Sequence, residues 1–162
     1  MNTMRESHSL ETRLDRVARS SHDLIALLAR VSMASTFWLS GQSKIEGLVL
    51  DPIGLQVQWG VPHISEGALE LFRTEYRLPF LSPEVAAPMA AISEHVFPLL
   101  LLIGLGSRLS ALALLGMTAV IEVFVYPAAW PTHAVWATCL LYVITRGPGM
   151  LSVDHLIARR LR

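Results

Sequence analysis

The sequence predicts an all-α fold, a bundle of four transmembrane helices with a structured extracytoplasmic loop between the first and second. Three observations predict it. Four stretches approach the roughly 20 mainly apolar residues that a bilayer-crossing helix needs. Only 16% of the 162 residues are charged, against about a quarter in a soluble domain, and the mean hydropathy is +0.47. The basic residues, finally, fall unequally on the two sides that these stretches define.

Residues 1–22 are polar and charged and are expected to form a cytoplasmic amphipathic lead-in. A cleaved signal peptide would have a shorter basic head and a small-residue cleavage site. The membrane domain, 23–146, begins with a span at about 23–43, DLIALLARVSMASTFWLSGQS. A loop over 44–84 follows, long enough to imply structure or function of its own. Its first half alternates Leu55, Val57, Trp59 and Val61 in a β-like pattern broken by glycine and proline. In its second half Ser65 is placed to cap a helix on which Leu69, Phe72 and Tyr76 share a face. That helix is expected at the outer interface or as a small cap on the bundle.

The second and third spans run over about 85–105 and 108–126, and the fourth, about 132–146, is short. It can borrow length from the flanking PAAWP or GPGML segments, or sit where the bilayer thins. Residues 147–162 form a cytoplasmic tail. A soluble bundle would require a polar stripe at helical period, and 96–106 and 109–117 are apolar almost all round. With both termini inside, the cytoplasmic side carries Arg5, Arg13, Arg16, Arg19, Arg108, Arg146, Arg159, Arg160 and Arg162. The outside carries only Lys44, Arg73 and Arg77. A bacterial inner-membrane protein with cytoplasmic termini satisfies this asymmetry.

Ionisable groups at depth cost about 3 kcal/mol in the worst cases on insertion scales, so each needs a partner or a function. Arg30, Lys44, Glu94, His95 and Glu122 fall within or at the edge of the spans. Depths counted along the helical rise pair Arg30 with Glu94 and Lys44 with Glu122. Such pairs either fix helix register or line a polar cavity that binds a quinone-like or anionic ligand or relays protons. Glu94 and Glu122 are the candidate proton-transfer residues.

His95 and His133 are candidate metal ligands, with Met89 and Met117 as soft donors, although a histidine in a span is more often a hydrogen-bonded structural residue. Trp130, Trp136 and Tyr126 fit an interfacial aromatic belt. The single cysteine, Cys139, excludes an intramolecular disulfide and a CxxC redox pair. No basic patch interleaved with aromatics is present, so nucleic acid is not an expected partner.

Taken in order, Arg30, FWLSGQSKIEG with Gly41 and Lys44, EYRLPFLSPEVA, Glu94 in SEHVFPLLLLIGLGSRLSALALLGM, and GPGMLSVDHL with Gly147, Gly149, Ser152 and Asp154 resemble the DoxX family. The resemblance covers about residues 24–158. It implies a small four-helix bacterial inner-membrane protein that acts as a subunit, associated with quinone-linked redox complexes, among them thiosulfate:quinone oxidoreductase. Oxidative-stress or thiol-homeostasis assemblies are a second association. The segment VFVYPAAWPTH also looks similar to DoxX proteins found beside metal-binding peptide systems of copper stress. Relatives that handle disulfides do so with cysteine pairs, which this chain lacks.

The leading expectation is thus a membrane subunit of a quinone-linked redox or oxidative or metal-stress complex, with Arg30, Lys44, Glu94, His95 and Glu122 around a polar cavity and quinone as the possible cofactor. Its partners would be the lipid bilayer, membrane or soluble subunits of that complex, and further copies of itself. The alternatives are a non-catalytic anchor or scaffold, and a small metal- or solute-handling membrane protein.

Overall fold

A computed structural model describes residues 2–51 and 54–161, with side chains from Ser20 onward. The first helix, α1 (Asn2–Gln42), runs unbroken through the boundary expected at 22/23. Before Gly41 the chain has neither proline nor glycine to stop it. The amphipathic character expected of the lead-in, and the arginines at 5, 13, 16, 19 and 162, lie outside the described side chains.

Helix α3 (Pro83–Ile103) starts with proline in its first turn, where the missing N–H costs nothing, and ends on Gly104 in the left-handed region. After a two-residue turn, α4 (Ser107–Phe124) returns antiparallel, and α5 (Trp130–Arg146) follows a short 3₁₀ turn over Pro127–Ala129. A last helix, α6 (Val153–Arg160), is capped by the Ser152 hydroxyl, which accepts from the His155 N–H. The four long helices pack as a ring, α1 on α3, α3 on α4, α4 on α5, and α5 back on α1. Ala29, Met33, Phe37, Leu101, Ala111, Leu114, Leu140 and Val143 fill its centre, with Cys139 half-buried beside them.

Three helical segments, Ser20–Gln42, Pro83–Ile103 and Ser107–Phe124, are long and apolar enough to cross a membrane. Helix α5, with 17 residues, is shorter. The distribution of side chains is the reverse of a water-soluble bundle. Ile92 is 63% exposed and Leu109 70%, while Arg30, Lys44, Glu94, Ser110, Thr118 and His133 are buried. Apolar surface facing outward and polar groups facing inward are what a lipid surround stabilises.

The loop between α1 and α3 is an antiparallel ribbon with a helix. Strand β1 (Ile45–Glu46) pairs with β4 (His63–Ile64), and β2 (Val49–Asp51) with β3 (Gln56–Gln58) inside it. Where the two ribbon arms cross, a Cβ on Gly47 would lie 2.2 Å from the Val61 carbonyl oxygen, so the crossing requires glycine there. The apolar alternation expected over 55–61 does not build a core: Leu55, Val57, Trp59 and Val61 are all exposed. Helix α2 (Glu66–Thr74) is capped by Ser65, whose hydroxyl accepts from the Ala68 N–H at 3.0 Å. Its apolar face packs inward, Phe72 against Ala86 and Ala87 of α3. Of the two placements expected for this helix, the cap on the bundle is the one that forms.

Trp136, expected in an aromatic belt, instead packs edge-on against Phe37, 5.6 Å between ring centres. Trp130 and Tyr126 are exposed.

Candidate functional site

Gly41 sets the site's register. A Cβ at this position would meet Glu94 Cβ at 3.1 Å and His95 Cε1 at 2.8 Å, so α1 and α3 touch there without an intervening side chain. Glu94 therefore lies level with the last turn of α1, where Lys44 is. The Lys44 ammonium sits 2.7 Å from Glu94 Oε2 and curls back one helical turn to donate to the Ser40 carbonyl (3.1 Å) and hydroxyl (2.9 Å). Ser40 in turn donates to Glu94 Oε1 at 3.2 Å. Lys44 is 5% exposed and Glu94 3%. Oε2 touches the ammonium but accepts no directed hydrogen bond, which leaves acceptor capacity on that oxygen.

The pair forms part of the wall of a cavity of about 280 Å³ beneath the α2 cap. Phe72 and Tyr76 come from the cap, Leu78, Phe80 and Leu81 from the link to α3, Met89, Ala90 and Ser93 from α3, and Met117, Val120 and Ile121 from α4. Lys44 and Glu94 are the charged residues of this lining. Tyr76 stacks edge-on with Phe72 and Tyr126, and its oxygen accepts from the Tyr126 hydroxyl at 3.4 Å. Burial, and then that contact, push the Tyr76 phenol further above its ordinary range, so it stays a neutral hydroxyl. An apolar chamber with a few convergent polar groups is the usual form of a small-molecule site.

The other charges anticipated from the sequence lie elsewhere. Arg30 does not pair with Glu94. Helix α3 begins well beyond the end of α1 to hold the cap, so Glu94 is nearer the loop end than counting from the start of the apolar stretch implies. Arg30 instead faces the far end of α3, where its guanidinium, 1% exposed, donates to four carbonyls. Nε reaches Leu101 (2.8 Å), Nη2 reaches Leu102 (2.6 Å), and Nη1 reaches Pro148 (2.9 Å) and Leu151 (2.8 Å). Two of these are carbonyls of the last turn of α3, which have no partner within the helix and carry the negative end of its dipole.

Nor does Lys44 pair with Glu122. Glu122 Oε2 lies 2.6 Å from His133 Nδ1, between α4 and α5. His95 is held separately: Nδ1–H donates to the Ala91 carbonyl at 2.6 Å, which leaves Nε2 to accept from the Gln42 amide at 2.8 Å. The Gln42 carbonyl oxygen accepts from the Leu50 N–H at 2.6 Å, and the Leu50 carbonyl accepts from the Trp38 indole at 2.8 Å. His95 thus bolts β2 to the end of α1. His95 and His133 are engaged in different hydrogen bonds and do not converge. No group of three or more His, Cys, Asp or Glu suited to a metal is present among the described residues.

Of the five residues placed around one cavity by sequence, the structure brings together Lys44 and Glu94. Sequence reasoning missed Ser40, Gln42 and Tyr76. Only the S-x-x-x-K spacing of Ser40 and Lys44, one helical turn, carried a signal for the first.

The DoxX family model matches residues 25–127, well over half of the chain. The chain belongs to the DoxX family. No curated protein and no solved structure matches it. Membership, together with the apolar helices, makes this DoxX protein a small membrane protein in contact with lipid. The matched residues include Arg30, Gly41, Lys44, Glu94 and Glu122; the closing segment Gly147–Asp154 lies beyond them.

Proposed function

We propose that this DoxX protein is a membrane subunit of a quinone-linked redox or stress-response complex, and that the chamber under α2 receives the quinone head group. All four long helices then cross the inner membrane, with both termini in the cytoplasm and the ribbon and α2 outside. The observation that carries this reading is the buried Lys44–Glu94 pair in the wall of an otherwise apolar cavity of about 280 Å³. Its chemistry suits an amphipathic ligand: apolar walls for the ring, the Lys44 ammonium as donor to a carbonyl oxygen, and Glu94 Oε2 as acceptor of a hydroxyl proton. Electrons would come from a partner subunit, and Glu94 would pass protons.

A short-chain benzoquinone is expected to raise the thermal stability of the purified protein in detergent, and Glu94→Gln is expected to remove that shift. Met117→Trp, which fills the chamber without touching the pair, should remove it as well. A shift of equal size in wild type and both variants would sink the assignment.

A scaffold reading has its own support. The Arg30 carbonyl cage and the His95–Gln42–Leu50 chain satisfy their members without a ligand. Under this reading the double change Lys44→Met with Glu94→Leu leaves assembly with the partner intact, whereas the quinone reading predicts loss of quinone-dependent turnover.

A further inference from the structure

At the end of the bundle opposite the loop, the first turn of α4, the last turn of α5, the 147–150 turn and α6 enclose an open cleft of about 920 Å³. Arg108 and Arg146 line it from neighbouring helices, and the Arg108 guanidinium lies along the α5–α6 turn, Nη2 3.6 Å from where a Cβ on Gly147 would be. Neither arginine has an acidic partner at ion-pair distance among the described residues.

Two carboxylates share the wall, but both are turned to backbone. Asp23 accepts from the Met150 N–H at 2.8 Å, and Asp154 accepts from Gly106 and Ser107 at 2.8 and 2.9 Å. With Arg30 close to Asp154, the carboxylates leave a local surplus of positive charge, and His22 and His155 add no negative charge. The cleft lies level with the start of the α4 span, so its floor is at the membrane boundary. Leu109, which also lines it, is exposed and continues into exposed Leu112 on the outer face of α4.

We propose that this cleft binds the phosphate of an anionic phospholipid headgroup, with Arg108 and Arg146 as a two-sided clamp and Leu109 against the first methylenes of an acyl chain. A guanidinium fork matches phosphate oxygens in two-point hydrogen bonds. A free phosphate ion would use the arginines but not the apolar strip beside them, which is why the lipid is the source assigned. The inference is independent of the quinone chamber at the other end of the molecule and rests only on the helices being embedded in lipid.

The test is native mass spectrometry of the full chain in neutral detergent, titrated with phosphatidylglycerol and phosphatidylcholine of equal acyl length. Wild type should retain phosphatidylglycerol preferentially, and removing each arginine should weaken that preference about fivefold, the effect of one basic residue near an anionic lipid surface. Arg108→Gln with Arg146→Gln should abolish the preference. Arg159→Gln with Arg160→Gln, on exposed α6 positions outside the cleft, should keep it. If the double cleft variant fails to fold, Arg108→Gln alone carries the test with its fivefold loss. Equal retention of the two lipids by wild type, an unchanged preference in the cleft variant, or an equal loss in the α6 variant would overturn the proposal. Displacement of phosphatidylglycerol by inorganic phosphate at the same concentration would overturn the lipid as the source.

Discussion

Near one end of the α1 span a buried guanidinium meets four carbonyls; near the other, a buried ammonium meets one carboxylate and one serine beside a cavity. Both cations are removed from water to about the same degree, yet their surroundings differ in kind. Arg30 donates into helix-end and turn carbonyls that would otherwise lack partners, and Gly104 makes room for it: a Cβ there would lie 2.7 Å from Nη2. Lys44 has its partners too, but the carboxylate opposite keeps acceptor capacity and an adjacent chamber. A buried charge with its bonds made in a closed space is a structural element, and one beside open volume is available to chemistry. Burial alone does not tell them apart.

The contrast breaks most sharply on removal of Arg30. Arg30→Met strands four carbonyls at about 1–3 kcal/mol each where they stay dry. A loss of about 4 kcal/mol or more is therefore expected, read as a collapse of thermal stability in detergent. Tolerance of this change would place Arg30 outside the structural class. Lys44→Met leaves Glu94 buried without its counter-charge and should cost about 3–5 kcal/mol, while Lys44→Met with Glu94→Leu should return to within about 1 kcal/mol of wild type. If the double variant stays as unstable as the single, the pair is as structural as Arg30 and the contrast dissolves.

The smallest effect belongs to Asp154. Burial alone would raise its carboxyl, but the N–H groups of Ser107 and Gly106 and the nearby Arg30 outweigh it and hold the group below its ordinary value of 3.8. A depressed carboxylate stabilises the fold above its unfolded pKa, and that contribution fades as pH falls through the lower folded value. Asp154→Ala should cost about 0.5–2 kcal/mol at neutral pH, as for a lost helix cap. It should also flatten the acid limb of a melting curve taken below pH 4.

The helices were legible because long apolar runs between proline and glycine stops leave little else for the chain to do in lipid. Arg30, Lys44, Glu94 and Glu122 were legible as anomalies for the same reason. Their pairing was not, because depth was counted from the ends of apolar stretches as though those ends were level. Helix α3 overshoots α1 to support α2, and that offset depends on Phe72 finding Ala86 and Ala87, a contact between segments far apart in sequence. His95 was opaque for a related reason: its partner Gln42 is oriented by Leu50, a backbone N–H in a loop whose path no periodicity encodes. The His133–Glu122 contact likewise depends on the 3₁₀ turn that aligns α4 and α5.

Gly41 carries a consequence for how the protein can change. Alanine is favoured over glycine inside a helix by about 1 kcal/mol, so near the end of α1 such a substitution would ordinarily count as an improvement. Here the added methyl has no room: it would enter the His95 ring and press on Glu94, separating the helices that hold Lys44 against its carboxylate. Local helix stability and the ion pair therefore impose opposite demands on a single atom, and the glycine records which of them selection has kept.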